Sequence, residues 1–465
     1  MSRNSSDNRP QTTDPTQGVE LPVVWRAVIA SSLGNAMEWY DYGVFTSGAI
    51  TATIGAQFFP GSGNAVIKSF TLLALSFIVR PFGGAILGPI GDRIGRQRVL
   101  ALTVLLMSGG TFLVGVLPTF AGPYSLGYGS TALVMLLRLV QGFSTGGEYG
   151  GAATFMAEYA PAQRRGFFGS FLEFGTLTGY VFGNIVVLAV TLGIGPSTPF
   201  FAQWGWRIPF LIALPLGLIG LYLRLRMEDT PTFRQFARTG QVAAKPPLLE
   251  TLTRHWRAIV RLAGIVLLLN VADYTVLTTM PTYFTTQLHY SSTTSTIIII
   301  AVELLMMAVI TPMGALSDRI GRKPLLITMA VGYIVLSYPA YMLMQTHNLA
   351  FLMIGFIIVA LLLVLVLAVI GSTFPAMFPT RVRYGAMAIG YNVSTSIFGG
   401  TAGLLVETLI KITGTNYIPA YYLILAGLIG LVPIVLTPET AKVPMNVIGT
   451  ARARPEPAAP AAQPD

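Results

Sequence analysis

Long apolar segments alternate with short charged turns along most of the chain. A helix of roughly 20 apolar residues is long enough to cross the hydrocarbon core of a bilayer. The uncharged stretches 99–117 and 350–378 reach that length. The pattern predicts about twelve membrane helices. They lie near residues 26–55, 66–90, 98–117, 128–157, 166–191, 207–226, 258–284, 293–316, 324–344, 349–377, 384–409 and 419–437.

One charged turn occurs at matching places in the two halves of the chain. Gly88-Pro-Ile-Gly-Asp-Arg-Ile-Gly-Arg-Gln-Arg98 returns 226 positions later as Gly314-Ala-Leu-Ser-Asp-Arg-Ile-Gly-Arg-Lys-Pro324. Such a repeat is typical of a duplicated membrane bundle whose halves rock against each other during transport. A solvated loop that only sets topology is the alternative, which the second copy weakens. We predict a gating role for Gly88, Asp92, Arg93, Gly95, Arg96, Gly314, Asp318, Arg319, Gly321 and Arg322.

The expected fold is an all-α membrane protein with twelve transmembrane helices in two pseudo-symmetric six-helix bundles. The bundles cover residues 25–226 and 258–437, and a polar, basic stretch at 227–257 forms a cytoplasmic linker. Residues 1–24 form a cytoplasmic tail without the pattern of a signal peptide, so we expect the first helix to be retained. Residues 438–465, rich in proline and alanine, are expected to be a disordered cytoplasmic tail.

The composition argues against a soluble protein. Only 10% of the residues are charged and 53% are hydrophobic, whereas a soluble domain carries about 25% charged residues. The net charge of +10 is unevenly placed: one set of alternate loops holds eighteen lysines and arginines, and the other holds only Lys68, Arg207 and Lys411. The positive-inside rule makes the first set cytoplasmic, together with both termini. This charge requires no nucleic-acid partner, and anionic lipids are candidate partners of the arginine-rich turns.

Residue types for metal or hydrolytic chemistry are sparse. The chain has no cysteine, and its three histidines, His255, His289 and His347, are scattered. We therefore expect no metal site, no cofactor and no enzymatic activity. A membrane enzyme or a sensor is a further interpretation, but the sequence shows neither a polar catalytic loop nor an appended signalling domain. We expect a monomer that acts on a small molecule.

Charged residues within membrane segments indicate function, because a charge in hydrocarbon costs roughly 2.5–3.5 kcal/mol on insertion scales. Glu38 and Asp41 lie three positions apart on the first helix and so share a face. Paired carboxyls suit reversible protonation. Trp39, Tyr40 and Tyr42 flank them. The alternative is an aromatic belt with acids near the lipid headgroups.

Further buried charges lie in the second, fourth and fifth segments. Arg80 and Arg138 need carboxylate partners, either from the protein or from a ligand. Glu148 lies about 15 Å from Arg138 along the same predicted helix, and Glu173 follows in the next. A static ion pair that holds helices together is the alternative for each.

The C-terminal half contains more widely spaced acids, namely Asp273, Glu303 and Glu407. Asp273 lies near Asn270 and beside Tyr274 on a helix that a later proline interrupts. We expect this segment to line the transport cavity.

These motifs resemble those of a known family. The two Gly-x-x-x-Asp-Arg-x-Gly-Arg turns and Arg138-Leu-Val-Gln-Gly142 are similar to the signatures of the major facilitator superfamily. Four further motifs resemble its metabolite:proton symporter branch. They are Gly34-Asn-Ala-Met-Glu-Trp-Tyr-Asp41, Val140-Gln-Gly-Phe-Ser-Thr-Gly-Gly-Glu-Tyr-Gly-Gly151, Trp204-Gly-Trp-Arg-Ile-Pro-Phe210 and Phe374-Pro-Ala-Met-Phe-Pro-Thr-Arg-Val-Arg-Tyr384.

The resemblance covers residues 25–440 and implies alternating access and proton-coupled uptake across a bacterial inner membrane. The proton is the coupling ion, and the implied coupling residues are Glu38, Asp41, Arg138, Glu148 and Glu173. Asp273 departs from the pattern, because an uncharged aromatic residue is expected there. The departure favours a substrate with a cationic group, or an additional proton site.

Two hypotheses for the substrate follow. The first is a small zwitterion such as proline, glycine betaine or ectoine. Its ammonium would contact Trp39, Tyr40 or Tyr42, and its carboxylate would pair with Arg80 or Arg138. The same cavity is expected to contain Asn270, Asp273 and Tyr274. The second is a di- or tricarboxylate of the α-ketoglutarate or citrate type, which needs two cationic contacts such as Arg80 with Arg138.

Overall fold

The computed structural model describes residues 21–61, 63–94, 96–121, 125–225, 248–379 and 382–441. These described residues form helices and contain no strand. The first half contains α1 (Leu21–Thr46), α2 (Gly48–Phe58), α3 (Ala65–Ile78), α4 (Arg80–Ile94), α5 (Arg96–Val116), α6 (Tyr128–Tyr159), α7 (Arg165–Ile194), α8 (Pro199–Gln203) and α9 (Ile208–Leu225). The second half contains α10 (Leu248–Asp273), α11 (Met280–Thr286), α12 (Ser292–Ile320), α13 (Lys323–Met344), α14 (Leu349–Thr373), α15 (Arg383–Ser394), α16 (Ala402–Thr413) and α17 (Ile418–Leu436).

Twelve membrane spans result when consecutive helices are joined. Ten spans in the described residues are long and apolar enough to cross a bilayer. The two others are α1 with α2, and α6. They are less apolar because α1 carries Glu38 and Asp41 and α6 carries Arg138. The structure confirms the predicted all-α fold with twelve membrane helices.

Two spans of the second half contain a π-helical segment. Tyr274–Thr279 joins α10 to α11, and Thr395–Gly399 lies between α15 and α16. A π-helical turn adds a residue to the helical repeat and frequently occurs at functional sites. Asn270 of α10 contacts the second of these segments, because its side chain donates to the Thr395 hydroxyl at 3.1 Å.

The predicted domain boundaries fall partly outside the described residues. Residues 226–247 of the linker region are not described, and neither are residues 1–20 or 442–465 of the predicted tails. Helix α10 already begins at Leu248, within the predicted linker. The assignment of bundles, linker and tails stays a prediction.

The packing of the helices brings the charged side chains to the centre. Helix α1 packs along α7, and the two halves meet where α7 contacts α12 and α14 and where α15 contacts α4 and α6. A Cβ atom at Gly142 would lie 1.7 Å from the Ser76 carbonyl oxygen, and one at Gly146 would lie 2.0 Å from that of Arg80. Only glycines allow this close approach of α6 to the second span, and it holds Arg80 against the interface between the halves.

Candidate functional site

An aromatic cluster lies where the two halves meet. It consists of Trp39 and Tyr42 from α1, Phe77 from α3, Tyr180 from α7 and Tyr274 from the first π-helical segment. The centroid of the Trp39 ring lies 5.5 Å from that of Tyr180 and 6.4 Å from that of Tyr274. Phe77 meets Tyr274 edge to face at 5.2 Å. Hence both halves supply walls of one aromatic site, which we call the central cluster.

Arg80 provides a positive charge beside the central cluster. Its guanidinium lies 4.0 Å from the centre of the Phe77 ring and donates a hydrogen bond to the Tyr42 hydroxyl. The side chain is buried, and its Nε has no hydrogen-bond partner among the described residues. Within the described part of the chain it forms no ion pair. A carboxylate from a ligand would satisfy this arginine.

Asp273 provides a negative charge on the other half. It directly precedes Tyr274 and is 6% exposed. Among the described residues, no side chain or backbone group forms a hydrogen bond or ion pair with it. Its charge lies within electrostatic reach of Tyr180, Tyr274 and Arg80. An acid held in a buried aromatic environment without a partner is arranged for a cationic group.

For Arg138, the carboxylate partner comes from the protein and lies inside the first half. Arg138 Nη1 donates to Asp41 Oδ2 at 2.6 Å, and the Thr111 hydroxyl donates to Asp41 Oδ1 at 2.9 Å. The Arg138 guanidinium also lies 3.8 Å from the centre of the Phe45 ring. This network connects α1, α5 and α6. Glu38 is buried one turn earlier, and its charge acts on both Tyr42 and Arg80.

A hydrogen-bonded chain joins the central cluster to Glu173. The Trp39 indole N–H donates to Asn35 Oδ1 at 3.2 Å, and the Asn35 amide donates to the Thr176 hydroxyl at 2.6 Å. Thr176 in turn donates to Glu173 Oε2 at 2.8 Å. Tyr149 donates to Glu173 Oε1 at the same distance. The carboxyl is thus within reach of the cluster through hydrogen bonds rather than through a charge partner.

Two predicted site residues are not brought into these networks. Tyr40 lies on another side of α1, where its hydroxyl donates to the Pro209 carbonyl at 2.7 Å and its ring lies beside Phe182. Asn270 donates to the Val266 carbonyl and to Thr395, so it connects the interrupted helices. The side chain of Glu148 lies outside the described residues.

The sequence does not mark Tyr180, Phe77 or Tyr149 as site residues. All three lie in apolar helices, where an aromatic residue usually indicates core packing. Tyr149 stacks on Tyr391 of the other half, with 4.1 Å between ring centroids and an angle of 11° between the ring planes. No feature of the sequence identifies this contact.

The second copy of the repeated turn contacts the first half. Asp318 accepts hydrogen bonds from the backbone N–H groups of Gly166 and Phe167 at 2.7 and 2.9 Å. A Cβ atom at Gly314 would lie 2.7 Å from the Gly166 carbonyl oxygen. The start of α7 and the end of α12 are therefore joined on this side of the membrane, which we call the basic face.

The rest of that turn is held by a different group of contacts. Gly321 has φ +101°, a conformation that favours glycine, and Arg319 is exposed. Arg322 is buried and donates to the carbonyl oxygens of Ser372 and Thr440 at 2.9 and 3.1 Å. Burial lowers the pKa of Arg322 to about 10. In the first copy, Gly95 is not among the described residues, and neither are the surroundings of Gly88 and the side chains of Asp92, Arg93 and Arg96.

Glu439 fixes the start of α13 at the basic face. Burial by itself raises the pKa of this carboxyl, but backbone N–H groups that donate to it, including those of Arg322 and Lys323, lower the pKa below its ordinary value.

No group of three or more potential metal ligands is assembled within the described ranges.

On the side opposite to the basic face, the halves touch again. Asn184 of α7 donates to Glu303 of α12, and a Cβ atom at Gly48 would lie 3.1 Å from the Thr285 side chain. Tyr180 lies within hydrogen-bond distance of Thr278, at 3.1 Å. The central cluster is therefore enclosed by contacts between the halves on both sides.

Comparisons with known proteins agree with this architecture. The family described as "Sugar (and other) transporter" matches residues 27–248, and the family "Major Facilitator Superfamily" matches residues 262–462. The chain is 41% identical to a proline/betaine transporter of Salmonella typhimurium, over 90% of this chain and 85% of that relative. It is 37% identical to an ectoine/proline transporter of Corynebacterium glutamicum, over 96% of this chain and 90% of the relative.

Solved structures share the fold. A proton:xylose symporter bound to 6-bromo-6-deoxy-D-glucose aligns with a TM-score of 0.70, 18% sequence identity, and coverage of 92% of this chain and 99% of that one. The twelve helical spans, the repeated turn and the similarity to named transporters over 90% of the chain lead to one assignment. The chain belongs to the major facilitator superfamily and is a multi-pass membrane transporter, as its motifs predicted.

Proposed function

We propose that this transporter imports a small zwitterionic osmolyte, of the proline or glycine betaine type, together with a proton by alternating access. One observation carries the proposal: the enclosed central cluster has an arginine on one half and an acid on the other, and neither has an ion-pair partner among the described residues. Arg80 and Asp273 match the two opposite charges of a zwitterion. The names of the proline/betaine and ectoine/proline relatives support the same substrate class.

The binding arrangement follows from these charges. The substrate carboxylate would pair with Arg80, and its ammonium would lie against the Trp39, Tyr180 and Tyr274 rings near Asp273. A cation–π contact is worth about 2 kcal/mol when it is desolvated. Because the two charged residues lie on different halves, a bound zwitterion bridges the interface and favours its closure.

A di- or tricarboxylate fits this arrangement less well. It needs two cationic contacts, but Arg138 is already paired with Asp41 at 2.6 Å. Its second carboxylate would also approach Asp273, and like charges in a buried site are strongly unfavourable. The charges of the site therefore favour the zwitterion.

The proton pathway is assigned to the first half. Protonation of Asp41 would remove the charge that holds Arg138, and so it would change the contacts among α1, α5 and α6. Glu173 is a further proton acceptor, connected to Trp39 through Thr176 and Asn35. The charge of Glu38 acts on Arg80, and in this way Glu38 would link proton binding to substrate binding.

The basic face is assigned to the cytoplasm. The concentration of lysine and arginine in loops of that side follows the positive-inside rule. Both chain termini then lie in the cytoplasm, and Asp318 closes the cytoplasmic side by binding the start of α7. The protein would act as a monomer in a bacterial inner membrane, with the proton as its only coupling ion.

Uptake of labelled glycine betaine and proline into a transport-deficient bacterial strain tests this proposal. We expect uptake that a protonophore abolishes and that excess α-ketoglutarate or citrate does not inhibit. Strong inhibition by a carboxylate, with none by unlabelled betaine, would select the carboxylate hypothesis. Uptake that resists the protonophore would contradict proton coupling.

A further inference from the structure

Glu303 is a buried carboxyl that the proposed coupling network does not include. It is 0% exposed and lies eleven residues after the start of α12, which is about 16 Å along the helix at 1.5 Å per residue. Both of its oxygens accept from the Asn184 amide, at 3.1 and 3.2 Å. Since Asn184 belongs to α7, this acid binds across the interface between the two halves.

No cation compensates this carboxyl in the described part of the chain. Helices α2 and α14, which pack against α12, carry no titratable residue. The charge of Glu303 acts on Tyr180. Asp318 lies fifteen positions further along α12, about 22 Å away, and Glu173 lies eleven positions before Asn184 on α7, about 16 Å along that helix. The other titratable groups on elements packed against α12, or on α12 itself, are Arg164, Arg165, Tyr283 and Arg319.

The absence of a cation determines which form of Glu303 suits the closed interface. A carboxylate that receives hydrogen bonds from one neutral amide keeps most of the cost of losing its water. A neutral carboxylic acid avoids that cost and still accepts from Asn184. When the halves separate, water reaches the group and the carboxylate becomes favourable. The protonation state is thereby tied to closure.

We propose that Glu303 is a second proton-binding residue, distinct from the Asp41–Arg138 pair, which must be protonated before the two halves close over the substrate. This proposal rests on the proposed proton symport. A proton from water on the outer side converts the carboxylate to the acid, and the Asn184 contact encloses it. After the interface opens toward the cytoplasm, the same proton returns to water. No other bond changes, and Asn184 stays neutral.

Infrared spectroscopy of the purified full-length protein tests the protonation without any substrate. At neutral pH we expect a carbonyl band of a protonated carboxyl that Glu303→Gln removes. Asn184→Ala should shift this band, because the amide donates to the carboxyl, whereas Glu407→Gln, a matched buried acid in α16, should leave it in place. Identical spectra of the wild type and Glu303→Gln would overturn the proposal.

Transport in proteoliposomes tests the coupling. We expect Glu303→Gln to retain exchange of labelled glycine betaine at equal pH on both sides, because the neutral amide replaces the acid in the closed state. It should lose accumulation driven by a pH gradient, while Glu407→Gln accumulates as the wild type does. Unchanged accumulation in Glu303→Gln would refute the coupling role.

A double variant that moves the carboxyl from α12 to α7 should restore the function that Glu303→Gln loses. The double variant Asn184→Asp with Glu303→Gln keeps one carboxyl and one amide in contact, and we expect it to regain both the infrared band and pH-driven accumulation. Failure of both in a folded double variant would count against the proposal. If the wild type does not transport glycine betaine at all, the substrate proposal fails, and the infrared result still decides whether Glu303 carries a proton.

Discussion

The buried acids of the two halves differ in their partners. In the first half, Asp41 is paired with Arg138 at 2.6 Å, and Glu173 accepts two hydroxyl hydrogen bonds at 2.8 Å. In the second half, Asp273 has no partner among the described residues, and Glu303 has one neutral amide. Asp41 and Glu173 of the first half thus have an ion pair or hydroxyl donors, whereas Asp273 and Glu303 of the second half have no cation partner among the described residues.

This difference separates two tasks. An acid that is paired, such as Asp41 with Arg138, stabilises the helices that it joins, and binding of a proton would break that pair. An uncompensated buried acid costs stability, and proteins retain such costs at sites that bind ligands or ions. The comparison therefore predicts opposite effects on stability when the acids of the two halves are neutralised.

The largest effect is expected for Asp41→Asn. The substitution leaves the buried Arg138 without its anion, and breaking a buried pair costs about 3–5 kcal/mol. We expect a lower melting temperature and loss of proton-driven uptake of glycine betaine. The double variant with Arg138→Gln should recover thermal stability but not coupled uptake. Full uptake by Asp41→Asn would eliminate its proposed role.

Arg80→Gln should mainly weaken substrate binding. A hydrogen bond to a charged group contributes about 1.5–3 kcal/mol, so we expect KM for glycine betaine to rise by about 10- to 100-fold. The KM of Arg80→Lys should lie between those of Arg80→Gln and the wild type, because lysine keeps the charge but not the planar guanidinium. An unchanged KM in Arg80→Gln would place the substrate carboxylate elsewhere.

Asp273→Asn separates the effect on stability from the effect on substrate binding, because the two should change in opposite directions. Removal of an uncompensated buried charge should leave the melting temperature equal or higher, whereas Asp41→Asn lowers it. Binding of glycine betaine should weaken by about tenfold, the effect of 1.4 kcal/mol. Isothermal titration of purified variants measures the binding, with Glu407→Gln as the control. A large loss of thermal stability in Asp273→Asn would show that this acid has a structural partner.

The smallest effect is expected for Glu439, an acid of the second half that does have partners. Its pKa is below the ordinary glutamate value of 4.5 in the folded protein. Its contribution to stability is therefore fully present above that value and is lost as the pH falls through the lower folded pKa. The difference in melting temperature between the wild type and Glu439→Gln should shrink on acidification below 4.5. If the difference in melting temperature grew on acidification instead, the pKa of Glu439 would be raised in the folded protein and the prediction would be wrong.

Much of the architecture could be predicted from local sequence. Runs of apolar residues give the number of spans, since a bilayer imposes their length. Charges within these runs, such as Asp41, Arg138 and Asp273, stand out because they are costly in hydrocarbon. Tyr180 and Phe77 could not be identified in this way, because an aromatic residue in an apolar helix has the same appearance in a core and in a binding site.

From the sequence alone follow about twelve membrane crossings, two halves related through the repeated turn, and charges inside the spans of both halves. Which of these charges meet depends on the packing of the helices. Asp41 and Arg138 are 97 positions apart and Asn184 and Glu303 are 119 apart. Apolarity is a property of each segment, whereas pairing depends on how helices rotate and pack against each other. The structure thus divides the described acids into those with ion-pair or hydroxyl partners and those without a cation, and we propose that the latter meet a ligand or a proton.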